Sequence, residues 1–364
     1  MASTTHLVNL DALIVREDFE TSSDVALQGK EPVFKVEELK RGRMYFSLLR
    51  KPEFQRETAS WSPDMVADFI ESFLDNKLIP SIIIWHSKET GNVFIIDGAH
   101  RVSALIAWVN DDYGNGEISK SFHGSESIPE AQKRFHTRVK QLVDDRVGTY
   151  LSLVDICLNP QNTTDQVKLR RSRAIATRQP DIQKVDGSAA VAEDSFFKIN
   201  ANPATIDPIE LNSIRARNKP NIIAKSAILR AGAGYKFRER FPVHGQAIQD
   251  MGKEVHELIF GPFTEISSIS PDVPRGGQPY SREAYRMILD MVNVFNEVPP
   301  ASWQYTLRER PRAKTGRLPG ELLDDADGSV TLQYLEKIRS IGKLGAVQNL
   351  FPRFVESVIK RSIF

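Results

Sequence analysis

The chain has 364 residues, 41% apolar and 26% charged, the balance of a soluble globular protein with room for two cores. A net charge of +1 excludes a molecule drawn to DNA by its overall field, so any nucleic-acid surface has to be local. No apolar run nears the roughly 20 residues that span a bilayer. Met1 to Asp11 lacks the basic-then-apolar order of a secretory leader, and a cytoplasmic location is expected.

Residues 1–40 read as an N-terminal extension packed on the main domain. Tyr45 to Leu49 reads as a short strand, followed by a loop from Arg50 to Glu57. Ser62-Pro63 then opens a helix with a capping hydroxyl and a first-turn proline, and Val66, Phe69, Ile70, Phe73 and Leu74 give it one buried stripe. Ser81 to Trp85 and Asn92 to Ile96 are two apolar strands joined by a hairpin-length turn. Behind them Val102, Leu105, Ile106 and Val109 repeat at helical spacing.

The polar, glycine-rich stretch from Asp111 to Glu130 reads as an insertion, leading to a helix over Glu130 to Val147 and a strand-like run ending at Cys157. The single cysteine has no partner for a disulfide or zinc site and is expected in the core. From Lys168 to Val191 the composition turns polar, which suggests a loose boundary. Beyond residue 205 the pattern is helical over Asp207 to Arg217, Pro220 to Ala231, Gln246 to Phe260, Ser281 to Asn296, Thr331 to Ile341 and Ala346 to Ile363, with Pro299 to Gly328 a long surface loop. The expected domains are 1–40, 41–180 and 181–364, in an α/β (α+β) fold whose C-terminal domain is mostly α-helical.

The stretch most suggestive of chemistry is Ile95-Ile96-Asp97-Gly98-Ala99-His100-Arg101-Val102-Ser103, where an apolar strand meets the first turn of a helix. Unsatisfied backbone N–H groups and the helix dipole favour an anion there, Gly98 permits close approach, and His100 and Arg101 add donors. The plain alternative is an ordinary strand-helix turn with a solvated arginine. Asp97 is the first choice for a Mg²⁺ carboxylate, since that ion is satisfied by few protein ligands plus phosphates. Upstream, Gln55 and Arg56 could reach a nucleotide, or Arg56 could simply pack near Trp61. Further on, Asn200 falls in a strand-to-turn context and Lys225 in the run before Gly232, where the plain alternative is a helix pair with normal caps. Lys168, Arg170, Arg171, Arg173 and Arg178, with no intervening carboxylate, are the best candidate for a local basic surface, either a nucleic-acid contact or a solvated helix face or mobile loop. Walker loops, GxGxxG, HExxH and GxSxG signatures are absent.

Asp97-Gly98-Ala99-His100-Arg101 resembles the DGQHR or DGQQR motif of a branch of the ParB/sulfiredoxin-like superfamily, with alanine in place of the usual glutamine. Pro52-Glu-Phe-Gln55-Arg56 with Trp61-Ser62, and Phe197-Lys-Ile-Asn200, resemble that branch's flanking elements. The resemblance implies an α/β nucleotide-binding core with Asp97, His100 and Arg101 as catalytic residues. It also implies Gln55, Arg56, Gly98, Ala99, Ser103, Asn200 and Lys225 around the nucleotide, with ATP and Mg²⁺ as cofactors. It further implies a place in bacterial DNA modification or phage defence, closest to the ATPase partner of a transglycosylase-like enzyme that inserts 7-deazaguanine into DNA. Two other readings compete: a DNA-binding regulator or modification sensor without turnover, and a ParB-like nuclease. The last would need several convergent carboxylates where only Asp97 is evident.

Overall fold

The computed structural model describes residues 8–17, 19, 34–53, 55, 58–59, 61–123, 128, 130–201, 208–231, 237, 240–260, 282–298 and 322–347. The chain forms two compact units, residues 1–205 and 206–364. Among the described residues it is a mixed α/β protein, 62% helical with one five-stranded sheet, and the second unit is helical.

The sheet of the first unit runs β1 (Val15–Glu17), β2 (Leu49–Pro52), β4 (Val93–Asp97), β3 (Ile82–His86) and β5 (Ile182–Val185) across its width. Neighbours pair in parallel, except the β3/β4 hairpin, which is antiparallel as its short connection requires. Val93 to Ile96 are all buried, so β4 is covered on both faces. One face carries Ile82, Ile84, Val93 and Ile95, which join the core of helices α2 (Pro63–Leu74) and α3 (Ala99–Asn110). On the other face Phe19, Trp85 and Phe94 pack ring against ring at 5.2–5.3 Å.

Ser62 caps α2 by accepting from the Met65 backbone N–H at 3.3 Å, and the five apolar residues of its stripe are buried. The stripe of α3 is buried as well. The N-terminal segment is more deeply committed than an extension: β1 is a sheet strand, and Leu10, Leu13 and Ile14 lie in the core.

Several local readings are corrected. Met44–Leu48 is a helical turn, α1, with the strand beginning only at Leu49; buried Tyr45 and Leu49 stand four apart, a helical interval. The run before Cys157 is helix α6 (Tyr150–Leu158), whose buried Tyr150, Leu153 and Ile156 recur every three residues behind a Thr149 cap. Cys157 itself is half-buried, not a core residue. The presumed insertion holds α4 (Glu117–His123) and is tied down by Asp112, whose carboxylate accepts from the Gly114, Gly116 and Ser119 backbone N–H groups and the Ser119 hydroxyl. It also contributes Tyr113 to the core.

Helix α5 (Glu130–Arg146) forms as expected. The polar stretch after Lys168 contains most of α7 (Gln166–Thr177) and then β5, which pairs with β3. Phe197 to Asn200 lie in helix α8 (Ala189–Ala201), packed on β4 and β5, rather than in a strand.

The second unit comprises α9 (Pro208–Arg215), α10 (Pro220–Arg230), α11 (Gly245–Phe260), α12 (Arg282–Phe295) and α13 (Ser329–Val347). They surround a core including Ile228, Phe241, Ile248, Val255, Ile288, Val292 and Leu335. Gly252 lets α10 and α11 approach closely, since a Cβ there would lie 2.9 Å from the Ala227 carbonyl oxygen. The loop read over Pro299 to Gly328, up to residue 321, and the final helix read from residue 348 onward fall outside the described residues. None of the helices of the described residues is long and apolar enough to cross a membrane.

Candidate functional site

Strand β4 ends at Asp97, Gly98 turns the chain with a φ of +93°, and α3 begins at Ala99. No side chain caps this helix N-terminus. Arg101 folds back over the turn: its Nη2 donates to Asp97 Oδ2 at 2.7 Å and to the Ser81 carbonyl at 3.1 Å. The guanidinium thereby ties the end of β4 to the residue preceding β3. It also explains the glycine, because a Cβ at Gly98 would stand 2.9 Å from Nη2 and 3.0 Å from Nε. Gly98→Ala combines that clash with left-handed strain and is expected to cost about 1–2 kcal/mol. Thermal unfolding checks this; an unchanged melting temperature would refute the packing role.

A second segment closes against the corner. Gln55 Nε2 makes a long hydrogen bond, 3.4 Å, to the Ile96 carbonyl, while the buried Gln55 Oε1 has no partner. Trp61 stacks on His100 with ring centroids 5.5 Å apart and planes inclined by 24°. Arg16 holds the Gln55 segment by donating from Nη1 to the carbonyls of Glu53 (3.1 Å) and Gln55 (2.7 Å).

Next to this segment lies a buried charge network. Lys51 is 0% exposed, and its Nζ donates to Asp11 Oδ1 at 2.6 Å and to the Asp11 carbonyl at 2.7 Å. Asp11 also accepts from Arg16 Nη2 (2.9 Å) and Nε (3.1 Å), and from the Thr58 backbone N–H (2.9 Å). Burial pushes the Asp11 carboxyl up, but Arg16 and Lys51 outweigh it and hold the group far below the usual carboxylate range. Burial, and after it the charge of Lys51, lowers His100 to about 4. Its imidazole is therefore neutral at pH 7, and suits hydrogen bonding or proton acceptance rather than cationic charge stabilisation. No sequence pattern links Asp11, Arg16 and Lys51, which the parallel pairing of β1 and β2 brings together.

The remaining candidates separate into groups. Ala99 and Ser103 lie on α3; Ser103 is fully buried, and its hydroxyl lacks a partner, as does Arg101 Nε. Arg56 and the side chain of Asn200 fall outside the described residues, although the backbone of Asn200 lies in α8 of the first unit. Lys225 belongs to the second unit, where its Nζ sits 3.7 Å from the centre of the Tyr285 ring.

The basic run lies on α7 and at its end, and its members differ in role. Arg171 is buried, donating to Asp75 through Nε and Nη2 at 2.8 Å each and to Glu71 at 2.9 Å. Arg178 donates to the Lys77 carbonyl at 2.7 Å and covers the Phe73 ring. These two brace α2, whereas Lys168, Arg170 and Arg173 are exposed, Arg170 with an ion pair to Asp75 at 3.2 Å.

The strand-helix corner thus offers an uncapped helix start and two buried donors without partners, Arg101 Nε and Ser103 Oγ, features that suit an anionic ligand, with the unpartnered acceptor Gln55 Oε1 on the neighbouring segment. Asp97 is already engaged through Oδ2 by Arg101, so a cation there would share the carboxylate and draw further ligands from the phosphates of a nucleotide. Among the described residues, no group of three or more His, Cys, Asp or Glu is arranged to hold a metal ion. A protein-family model described as GmrSD restriction endonuclease, N-terminal domain, matches residues 36–223, slightly more than half of the chain. No curated protein and no solved structure matches it.

Proposed function

Since the chain belongs to the family described as the GmrSD restriction endonuclease N-terminal domain, we propose that it is a component of a DNA restriction or modification system directed against phage. In this reading its first unit binds and hydrolyses a nucleoside triphosphate, ATP with Mg²⁺, at the Asp97 to Ser103 corner.

The observation carrying the nucleotide reading is the set of buried, unpartnered polar atoms on this corner and on the segment bonded to it: Gln55 Oε1, Arg101 Nε and Ser103 Oγ. Buried polar groups are normally satisfied, and two unpartnered donors near one helix start, with an unpartnered acceptor on the segment beside it, favour a polar ligand. Arg101 and Ser103 would donate to phosphate oxygens, Gln55 Oε1 would accept from the sugar or base, and neutral His100 would orient or deprotonate the attacking water. Mg²⁺, held by Asp97 and the phosphates, would supply charge neutralisation. Phosphoryl transfer asks mainly for positioning and charge stabilisation, which these groups can provide.

DNA is the expected partner, reached through the exposed Lys168, Arg170 and Arg173. A nuclease is the reading that the family description favours next. The described residues lack the convergent carboxylates that metal-dependent strand cleavage requires, which favours the nucleotide role for this unit. The family description also favours restriction over the narrower form of the reading, in which a transglycosylase-like partner inserts 7-deazaguanine.

Phosphate release from ATP with Mg²⁺, with and without DNA, tests the proposal. Arg101→Ala is expected to reduce kcat/KM by about 100- to 1,000-fold, and Ser103→Ala to weaken binding of a non-hydrolysable analogue. Equal rates and affinities in wild type and both variants would remove this site.

A further inference from the structure

A cavity of about 330 Å³ opens in the first unit against β3, the start of β4 and the segment leading into β5. Ile84, Val93 and Ile182 form its floor on one face of the sheet. Phe34 and Tyr45 stand over it as an edge-to-face pair with centroids 5.4 Å apart. His86, Gln179, Asp181 and Lys184 add donors and acceptors around it. The volume is at the lower end of small-molecule sites, about 300–1,000 Å³, enough for a ring system but tight for a large ligand.

From these features we infer that the cavity is a binding site for a small planar heteroaromatic molecule of nucleobase size. Two aromatic side chains and an apolar floor match the faces of a flat ring, and the mixed polar groups match an edge carrying both donors and acceptors. The Tyr45 ring is buried. Burial pushes its hydroxyl up to about 12, so it stays protonated as a donor for a ring nitrogen or carbonyl. The ring could arrive as a free nucleoside or as a base presented by a DNA strand.

Calorimetric titration of the full chain with adenosine, guanosine, cytidine and thymidine tests the site. At least one is expected to bind saturably. Val93→Phe, which fills the floor, should weaken that binding at least tenfold, about 1.4 kcal/mol. Tyr45→Phe keeps the ring and removes only the hydroxyl, and should weaken it several-fold even if Val93→Phe fails to fold. Competition by a short single strand containing the same base would mark DNA as the source, and absence of competition a free molecule. No binding by any nucleoside at low millimolar concentration, or binding unaffected by both cavity substitutions in folded protein, would overturn the inference.

Discussion

Asp11→Ala is expected to destabilise the first unit by about 3–5 kcal/mol, the cost of removing one partner from a buried ion pair. Asp11 is 2% exposed and is the shared acceptor for Lys51, which is fully buried, and for Arg16. Deleting it strands two cations away from water and also frees the Thr58 backbone N–H. Lys51→Met should be milder, because Asp11 keeps the two-point contact with Arg16 and a buried ammonium is replaced by an apolar chain of similar length. Denaturant unfolding followed by tryptophan fluorescence checks both, since Trp61, Trp85 and Trp108 all lie in this unit. A loss under about 1 kcal/mol for Asp11→Ala would mean that water reaches the network.

His100 makes the same unit sensitive to mild acid. Its folded value of about 4 lies below the ordinary 6.5, so the unfolded chain takes up a proton first. Stability from the neutral imidazole is whole above pH 6.5 and is lost as pH falls toward 4, by about 2 kcal/mol between pH 7 and pH 5. Asp11 works with the same sign, but only below the ordinary carboxylate value. His136 is also lowered by burial, so the decisive quantity is the difference between wild type and His100→Asn. The variant should lose most of the decline over that window. A parallel decline in both proteins would show that His100 is as readily protonated folded as unfolded.

The two predictions meet at one place, because Lys51 helps to lower His100 while being neutralised by Asp11. A neutral histidine stacked on Trp61, beside a charge network that is already balanced, brings no positive charge of its own to the corner. Among the described residues that leaves Arg101 as the corner's cation, and even this guanidinium is shared with Asp97. A triphosphate would therefore compete with Asp97 for Arg101, a competition that links nucleotide binding to the tie between β4 and the start of β3.

Much of this was legible residue by residue, where the signal is local. The cap and stripe of α2, the β3/β4 hairpin, the glycine turn at Asp97 and the helices of the second unit follow from hydrophobic period, capping hydroxyls and turn residues. Each of these acts within a few positions of the chain. The same local logic failed at Tyr45 to Leu49 and before Cys157, because short apolar runs carry no period long enough to separate strand from helix.

The fate of each charge was a different matter. Arg171 and Arg178 look like their exposed neighbours in the primary structure, yet they are absorbed by Asp75, Glu71 and the Lys77 carbonyl, roughly a hundred residues away. Asp11 finds Lys51 forty residues on only because β1 and β2 pair side by side. Burial and long-range pairing set whether an ionisable group braces the fold or faces a ligand, and both arise from packing between distant segments.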